Sequence, residues 1–144
     1  FDQWFESALQ FATHAQDATR RGWNNKAAFE LHQAAERLYH CVLLVLTNYS
    51  PSTHNLKFLR SLSESKDARL IDAWPRESKH DRKCFELLKR AYVEARYSEH
   101  YMITKEELKW LGQRVGVLQQ LVEMVCGESL EDCIAQRNRD GEKD

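Results

Sequence analysis

Asn25 to Leu46 reads NKAAFELHQAAERLYHCVLLVL, and this stretch decides the fold. It runs for about six helical turns at roughly 3.6 residues each without a Gly or Pro. Ala27, Ala28, Leu31, Ala34, Ala35, Leu38, Cys41, Val42 and Val45 recur at three- and four-residue steps, which lays an apolar stripe along one side of a helix. From Cys41 to Leu46 the chain is apolar all round, and a helix tolerates that only when neighbours cover it on several sides. The sequence therefore predicts a central helix, with small alanines that let another helix approach closely.

The flanking segments supply its neighbours. Asp2 to Arg21 carries Trp4, Phe5, Ala8, Leu9, Phe11, Ala12 and Ala15 on a helical face. Gly22 is placed to end that helix and Asn24 to cap the next, so the two should form an antiparallel hairpin. After the turn formers Thr47 to Ser52 comes a short third helix bearing Leu56, Phe58, Leu59 and Leu62, with His54 near its start as a capping, packing or functional residue. Ser63 to Ser78 reads as a loop with one helical turn, anchored by Leu70, Ile71 and Trp74. A fourth helix from about Ser78 to Glu99 places Cys84, Leu87, Leu88, Ala91, Tyr92 and Ala95 on its buried side. Thr104-Lys-Glu-Glu107 is a capping box that opens a fifth helix ending at Gly127. Leu130 and Ile134 allow one more short helix. The expectation is thus an all-α, up-and-down antiparallel bundle of four to five helices over residues 1–136, with a disordered polar tail at 137–144.

Composition narrows the function classes. A chain of 144 residues with 42% hydrophobic content fits one domain, and two Pro and five Gly leave little punctuation for strands. Lys and Arg number 21 against 22 Asp and Glu, so the net charge of -1 argues against a protein that coats nucleic acid by bulk electrostatics, while a local basic site stays open. The apolar run of the second helix is shorter than the roughly 20 residues that span a bilayer, and cytoplasmic residence is the default expectation. Cys41, Cys84, Cys126 and Cys133 lack a metal-type pairing and read as reduced thiols. A first residue of Phe suggests a piece of something longer.

Chemistry concentrates in Lys89 to Tyr101, KRAYVEARYSEHY. Arg96 and His100 are four apart and share a face where the helix persists, with Tyr97 and Tyr101 as a second pair and Arg90 one turn and a half earlier. An Arg fork for phosphate, an imidazole that exchanges a proton near neutral pH and a tyrosine ring for a base together suit a nucleotide. The plainer alternative packs the tyrosines against the fifth helix and pairs Arg96 with Glu94, Glu99 or Glu106. His32, Glu36 and His40 lie at four-residue intervals on the second helix; without a second carboxylate-rich stripe they read as polar residues along a groove or interface, not as a metal site. No cofactor motif is present.

At these segments the sequence resembles the HEPN family, named for higher eukaryotes and prokaryotes nucleotide binding. The resemblance is carried by the N-terminal helix, Ala27-Ala28-Phe29-Glu30-Leu31-His32-Gln33-Ala34-Ala35-Glu36, Pro51-x-Thr53-His54-Asn55-Leu56 and Tyr92-x-x-Ala95-Arg96-Tyr97, and it covers most of Phe1 to Gly127. Tyr92 to Trp110 looks most like the HEPN domain that follows a nucleotidyltransferase domain in bacterial fusion proteins. The resemblance implies a homodimeric helical bundle that binds a nucleotide or RNA. It also implies a nucleotidyltransferase partner in cis or in trans, in a toxin–antitoxin-like system. Active family members are metal-independent endoribonucleases with an Arg and a His separated by four to six residues. Here three residues separate Arg96 from His100, nine separate Arg90 from it, and Tyr97 takes a place that is commonly polar. The expectation is a nucleotide-binding module using Arg96, Tyr97, His100, Tyr101 and Arg90, with Arg96 and His100 as the catalytic pair of an endoribonuclease, or a dimerisation scaffold, as the alternatives.

Overall fold

In the computed structural model, which describes residues 1–142, the chain is an all-α bundle. The α-helices are α1 (Asp2–Arg20), α2 (Asn24–Thr47), α3 (Leu56–Lys66), α4 (Lys79–Tyr97) and α5 (Lys105–Glu142), with a short 3-10 helix at Ala68–Ala73 between α3 and α4. Buried along most of its length, α2 is the central helix and packs against α1, α3, α4 and α5. Ala27, Ala28, Ala34, Ala35, Leu38, Tyr39, Cys41, Val42 and Leu43 are all fully buried. Leu108, Leu111, Val115, Leu118, Val122 and Val125 of α5 meet them at the expected helical spacing.

Local signals act as the residues dictate. Gly22, at φ +78°, ends α1: its N–H donates to the Thr19 carbonyl (3.1 Å) and that of Trp23 to Ala18 (2.9 Å), the two bonds of a left-handed helix stop. At the start of α5 the Thr104 N–H donates to Glu107 Oε1 (2.9 Å) and the Glu107 N–H to Thr104 Oγ1 (3.1 Å). Ser78 caps α4 and Asn55 caps α3, each accepting from an N–H three residues on.

Several expectations are corrected. Asn24 does not cap α2; it is the first helical residue, and its amide instead ties the hairpin to the Ile103 carbonyl (3.1 Å). The segment after Ser63 is more ordered than a loop, because Leu70, Ala73 and Trp74 are buried and the Trp74 indole N–H donates to the Tyr39 hydroxyl (2.7 Å). Gly127 does not end α5: only Gly22 among the described glycines has positive φ, so the backbone carries the helix onward. Positions 137–142, expected as disordered tail, are exposed helix, and 143–144 lie outside the described residues. Finally, α4 stops at Tyr97, where Ser98 adopts an extended conformation (φ −96°, ψ 126°). No helix among the described residues is long and apolar enough to cross a membrane.

Candidate functional site

The end of α4 separates the residues grouped by spacing. Arg96 keeps its helical direction, whereas His100 falls in the connection to α5 and is exposed. Tyr97 is 75% exposed. Tyr101 is buried, and its hydroxyl donates to the Leu87 carbonyl (2.7 Å), so its polar end is already engaged; burial raises its pKa. Arg90 makes a two-pronged pair with Glu94 (2.6 and 3.0 Å). That pairing takes Glu94, one of the three carboxylates that the plainer reading offered to Arg96.

Arg96 is held by rings instead. Its guanidinium carbon lies 4.8 Å from the Phe29 ring centre, 4.7 Å from Tyr92 and 5.0 Å from Tyr97. Its Nε donates to the Tyr92 carbonyl (2.8 Å). Among the described residues no carboxylate lies within ion-pair distance of it. The terminal nitrogens thus form an exposed fork in a pre-set orientation, which matches the shape of a phosphate or carboxylate.

Tyr92 links this fork to a polar seam on α2. The His54 ring stacks on Tyr92 at 4.2 Å, and its Nδ1 lies 2.8 Å from Glu36 Oε1. Glu36, only 4% exposed, also has Gln33 Nε2 at 3.2 Å, His32 Nδ1 at 3.6 Å and His40 Nε2 at 3.6 Å. The far nitrogen of His40 bonds to the Ser50 hydroxyl. Burial alone would raise the Glu36 pKa, but the imidazoles of His40, His54 and His32 outweigh it and bring it below its ordinary value. An ionised Glu36 makes His54 Nδ1 the donor, with Nε2 at the other edge of a half-exposed ring. His32 behaves oppositely. Burial drives its pKa down to about 4 despite Glu36, so it is neutral near pH 7, and its Nε2 is buried without a hydrogen-bond partner.

The imidazoles converge on the Glu36 carboxylate and not on a shared empty point. Among the described residues no group of three or more His, Cys, Asp or Glu side chains is arranged to hold a metal ion. Cys41, Cys84 and Cys126 are buried free thiols whose pKa values burial pushes up to about 12, 11 and 11.

Sequence spacing indicates that His32, Glu36 and His40 share a face, and it places His54 at the start of α3. It does not indicate that His54 closes onto Glu36 and Tyr92, because that contact joins three helices. A polar residue repeated every four positions on the helix that must be buried is the available signal.

A search of curated protein sequences returns no match. The family model described as HEPN domain matches residues 1–125, which is most of the chain and includes α1 to α4 and the greater part of the buried face of α5. The chain belongs to the HEPN domain family.

Proposed function

We propose that this chain is a nucleotide-binding HEPN module in which Arg96 takes a phosphate and His54 is the imidazole joined to it through the shared Tyr92 ring, with Tyr97 and His100 on the exposed rim. The observation that carries this reading is the Arg96 fork, oriented by three aromatic rings and one backbone carbonyl and left without an acidic partner among the described residues. A surface arginine held this way has already given up much of its rotamer freedom, so less is lost when a phosphate binds. Arg90, paired with Glu94, and Tyr101, with its hydroxyl committed, serve the scaffold.

Calorimetric titration with ATP, GTP, CTP and UTP tests this. The expected result is saturable binding that Arg96→Ala weakens about tenfold or more, whereas Arg90→Ala leaves it unchanged. Equal binding by wild type and Arg96→Ala would remove the fork from the site.

An endoribonuclease is the second reading, favoured by the Glu36–His54 pair. A carboxylate that fixes Nδ1–H leaves Nε2 to accept the proton of an RNA 2′-hydroxyl, while Arg96 meets the charge that develops on the phosphate. It predicts metal-independent cleavage that His54→Ala abolishes and His100→Ala retains. The proposal extends to a homodimer, supported by Val93 and Tyr97, which expose apolar surface one turn apart on α4. It extends also to a nucleotidyltransferase domain, in cis or in trans within a toxin–antitoxin-like system in the cytoplasm, supported by the resemblance of Tyr92 to Trp110.

A further inference from the structure

The Arg96 fork is one end of a longer feature. Arg82, Phe85, Lys89, Tyr92 and Arg96 follow one another along α4 at steps of three, four, three and four residues, so they form one stripe. Basic and aromatic residues alternate along it. From Arg82 to Arg96 the stripe spans about 21 Å at roughly 1.5 Å per residue, which exceeds what one phosphate group requires.

Across from this stripe stands α3. Both helices lie on α2, but their backbones barely meet, and side chains bridge the space between them. At one end His54 stacks on Tyr92 (4.2 Å); at the other the Arg60 guanidinium lies over Phe85 (4.4 Å). Around the Arg60–Phe85 contact lies an open pocket of about 230 Å³, lined by five basic residues, Lys57, Arg60, Arg76, Arg82 and Lys89, and by Asp81 and Glu86; Lys89 and Tyr92 carry the stripe on from it toward Arg96. Arg60 and Arg76 share Glu64, and Lys89 reaches Glu86 (2.9 Å). Arg82 donates only to the Arg76 and Glu77 carbonyls, and Lys57 is exposed with no acidic partner among the described residues. Asp81 is engaged with His80 (3.2 Å). In a chain whose net charge is -1, this concentration of positive charge in one groove is local.

We infer that the α3–α4 groove is a subsite for a single-stranded phosphodiester chain that continues from the Arg96 site, so that the ligand is an oligonucleotide and not a mononucleotide. The inference rests on the nucleotide reading at its Arg96 end. Successive phosphates meet Arg96, Lys89 or Lys57, and Arg82, and each contact releases counterions. Contacts at 4.2 and 4.4 Å tie the α3 side to α4, and a pocket of about 230 Å³ suits a unit of one strand and not a duplex. The exposed face of Phe58, one residue beyond Lys57, offers a ring to an outward-turned base.

The test compares wild type with Arg82→Ala, with the double variant Lys57→Ala/Lys89→Ala and with Arg96→Ala, all exposed or half-buried positions, with thermal melts to show that the fold is intact. Each is titrated with a nucleoside triphosphate, with single-stranded RNA and DNA of about eight nucleotides, and with a duplex of the same length. The expected result is that the single strand binds about tenfold or more tightly than the mononucleotide. The groove variants should lose about that factor and lower the salt slope by about one for each phosphate contact removed, with mononucleotide affinity unchanged. RNA and DNA binding alike marks recognition of phosphate alone, and preference for RNA adds a 2′-hydroxyl contact; both support the groove. Equal affinity for mononucleotide and strand, or strand binding that the groove variants do not alter, overturns it while leaving the Arg96 reading in place. Tighter binding of the duplex overturns the single-strand assignment. Strand binding that depends on Lys57, Lys89 and Arg82 but not on Arg96 would keep the groove and sink the Arg96 reading.

Discussion

Two sides of α2 are buried to similar depth and made of opposite material. Toward α1 and α5 it presents mainly Ala27, Ala34, Ala35, Leu38 and Val42, with Glu30 and Arg37 at the edge beside His14 and Trp4 of α1. On the side of α3 and α4 it presents His32 and Glu36, with His40 beyond them against Trp4 of α1, and these must find partners or pay for lost hydration. A fold needs only the first kind of surface. Retaining a carboxylate and two imidazoles on that helix, where apolar side chains would pack, is a choice that stability does not explain. The proposed ligand site borders the polar side, and the apolar side is the scaffold that holds it.

The contrast can be broken most forcefully on its apolar side. Leu38 is 1% exposed, and Leu38→Ala should lower the unfolding free energy by about 2–5 kcal/mol, read by urea denaturation with helical circular dichroism as the signal. A loss below 1 kcal/mol would mean that α2 is not the close-packed centre described.

The polar side should reveal itself through pH. Unfolded His32 takes up a proton near pH 6.5, but the folded protein does so only near 4, so the unfolded state binds more protons in between. Stability should fall as pH drops from about 6.5 to about 4, by about 3 kcal/mol. The residues facing this ring are Glu36, His54, Tyr92 and Arg96. Glu36 acts in the same direction, because its pKa is depressed and its stabilisation is lost as pH falls through the folded value. Replacing the imidazole by a neutral isostere, His32→Gln, should flatten the upper part of that decline. An unchanged profile would place the titration elsewhere.

The smallest stability effect should sharpen the contrast most. His54 is half exposed, so His54→Ala should cost only about 1 kcal/mol and yet weaken nucleotide binding. Normal binding in a stable His54→Ala protein would make the Glu36–His54 contact a strut between α2 and α3.

How much of the molecule is legible in its sequence depends on the range of the interactions. The five α-helices, the Gly22 stop and the Thr104 capping box are written within a few residues of where they act, and sequence reading locates them. Gly127 misleads because a glycine marks a helix end only when it adopts positive φ, and its own identity does not set that angle. The spacing of Arg96 and His100 misleads because the helical period applies only while the helix lasts, and α4 stops between them. Stacking of His54 on Tyr92 joins residues 38 positions apart, and no local rule reaches that far.

Trp74 gives this architecture a built-in optical reporter. Its indole is 1% exposed, with its N–H held by Tyr39 and one edge against Phe85 at 5.0 Å. Phe85 is also part of the wall of the α3–α4 groove. A strand entering the groove disturbs the shielding of a chromophore it never touches, and emission from Trp74 should therefore track occupancy in unlabelled protein. Trp23, half exposed on the α1–α2 link, and the partly buried Trp4 and Trp110 supply the background against which that change is read, and Trp110→Phe isolates the Trp74 signal from the ring that packs on His80.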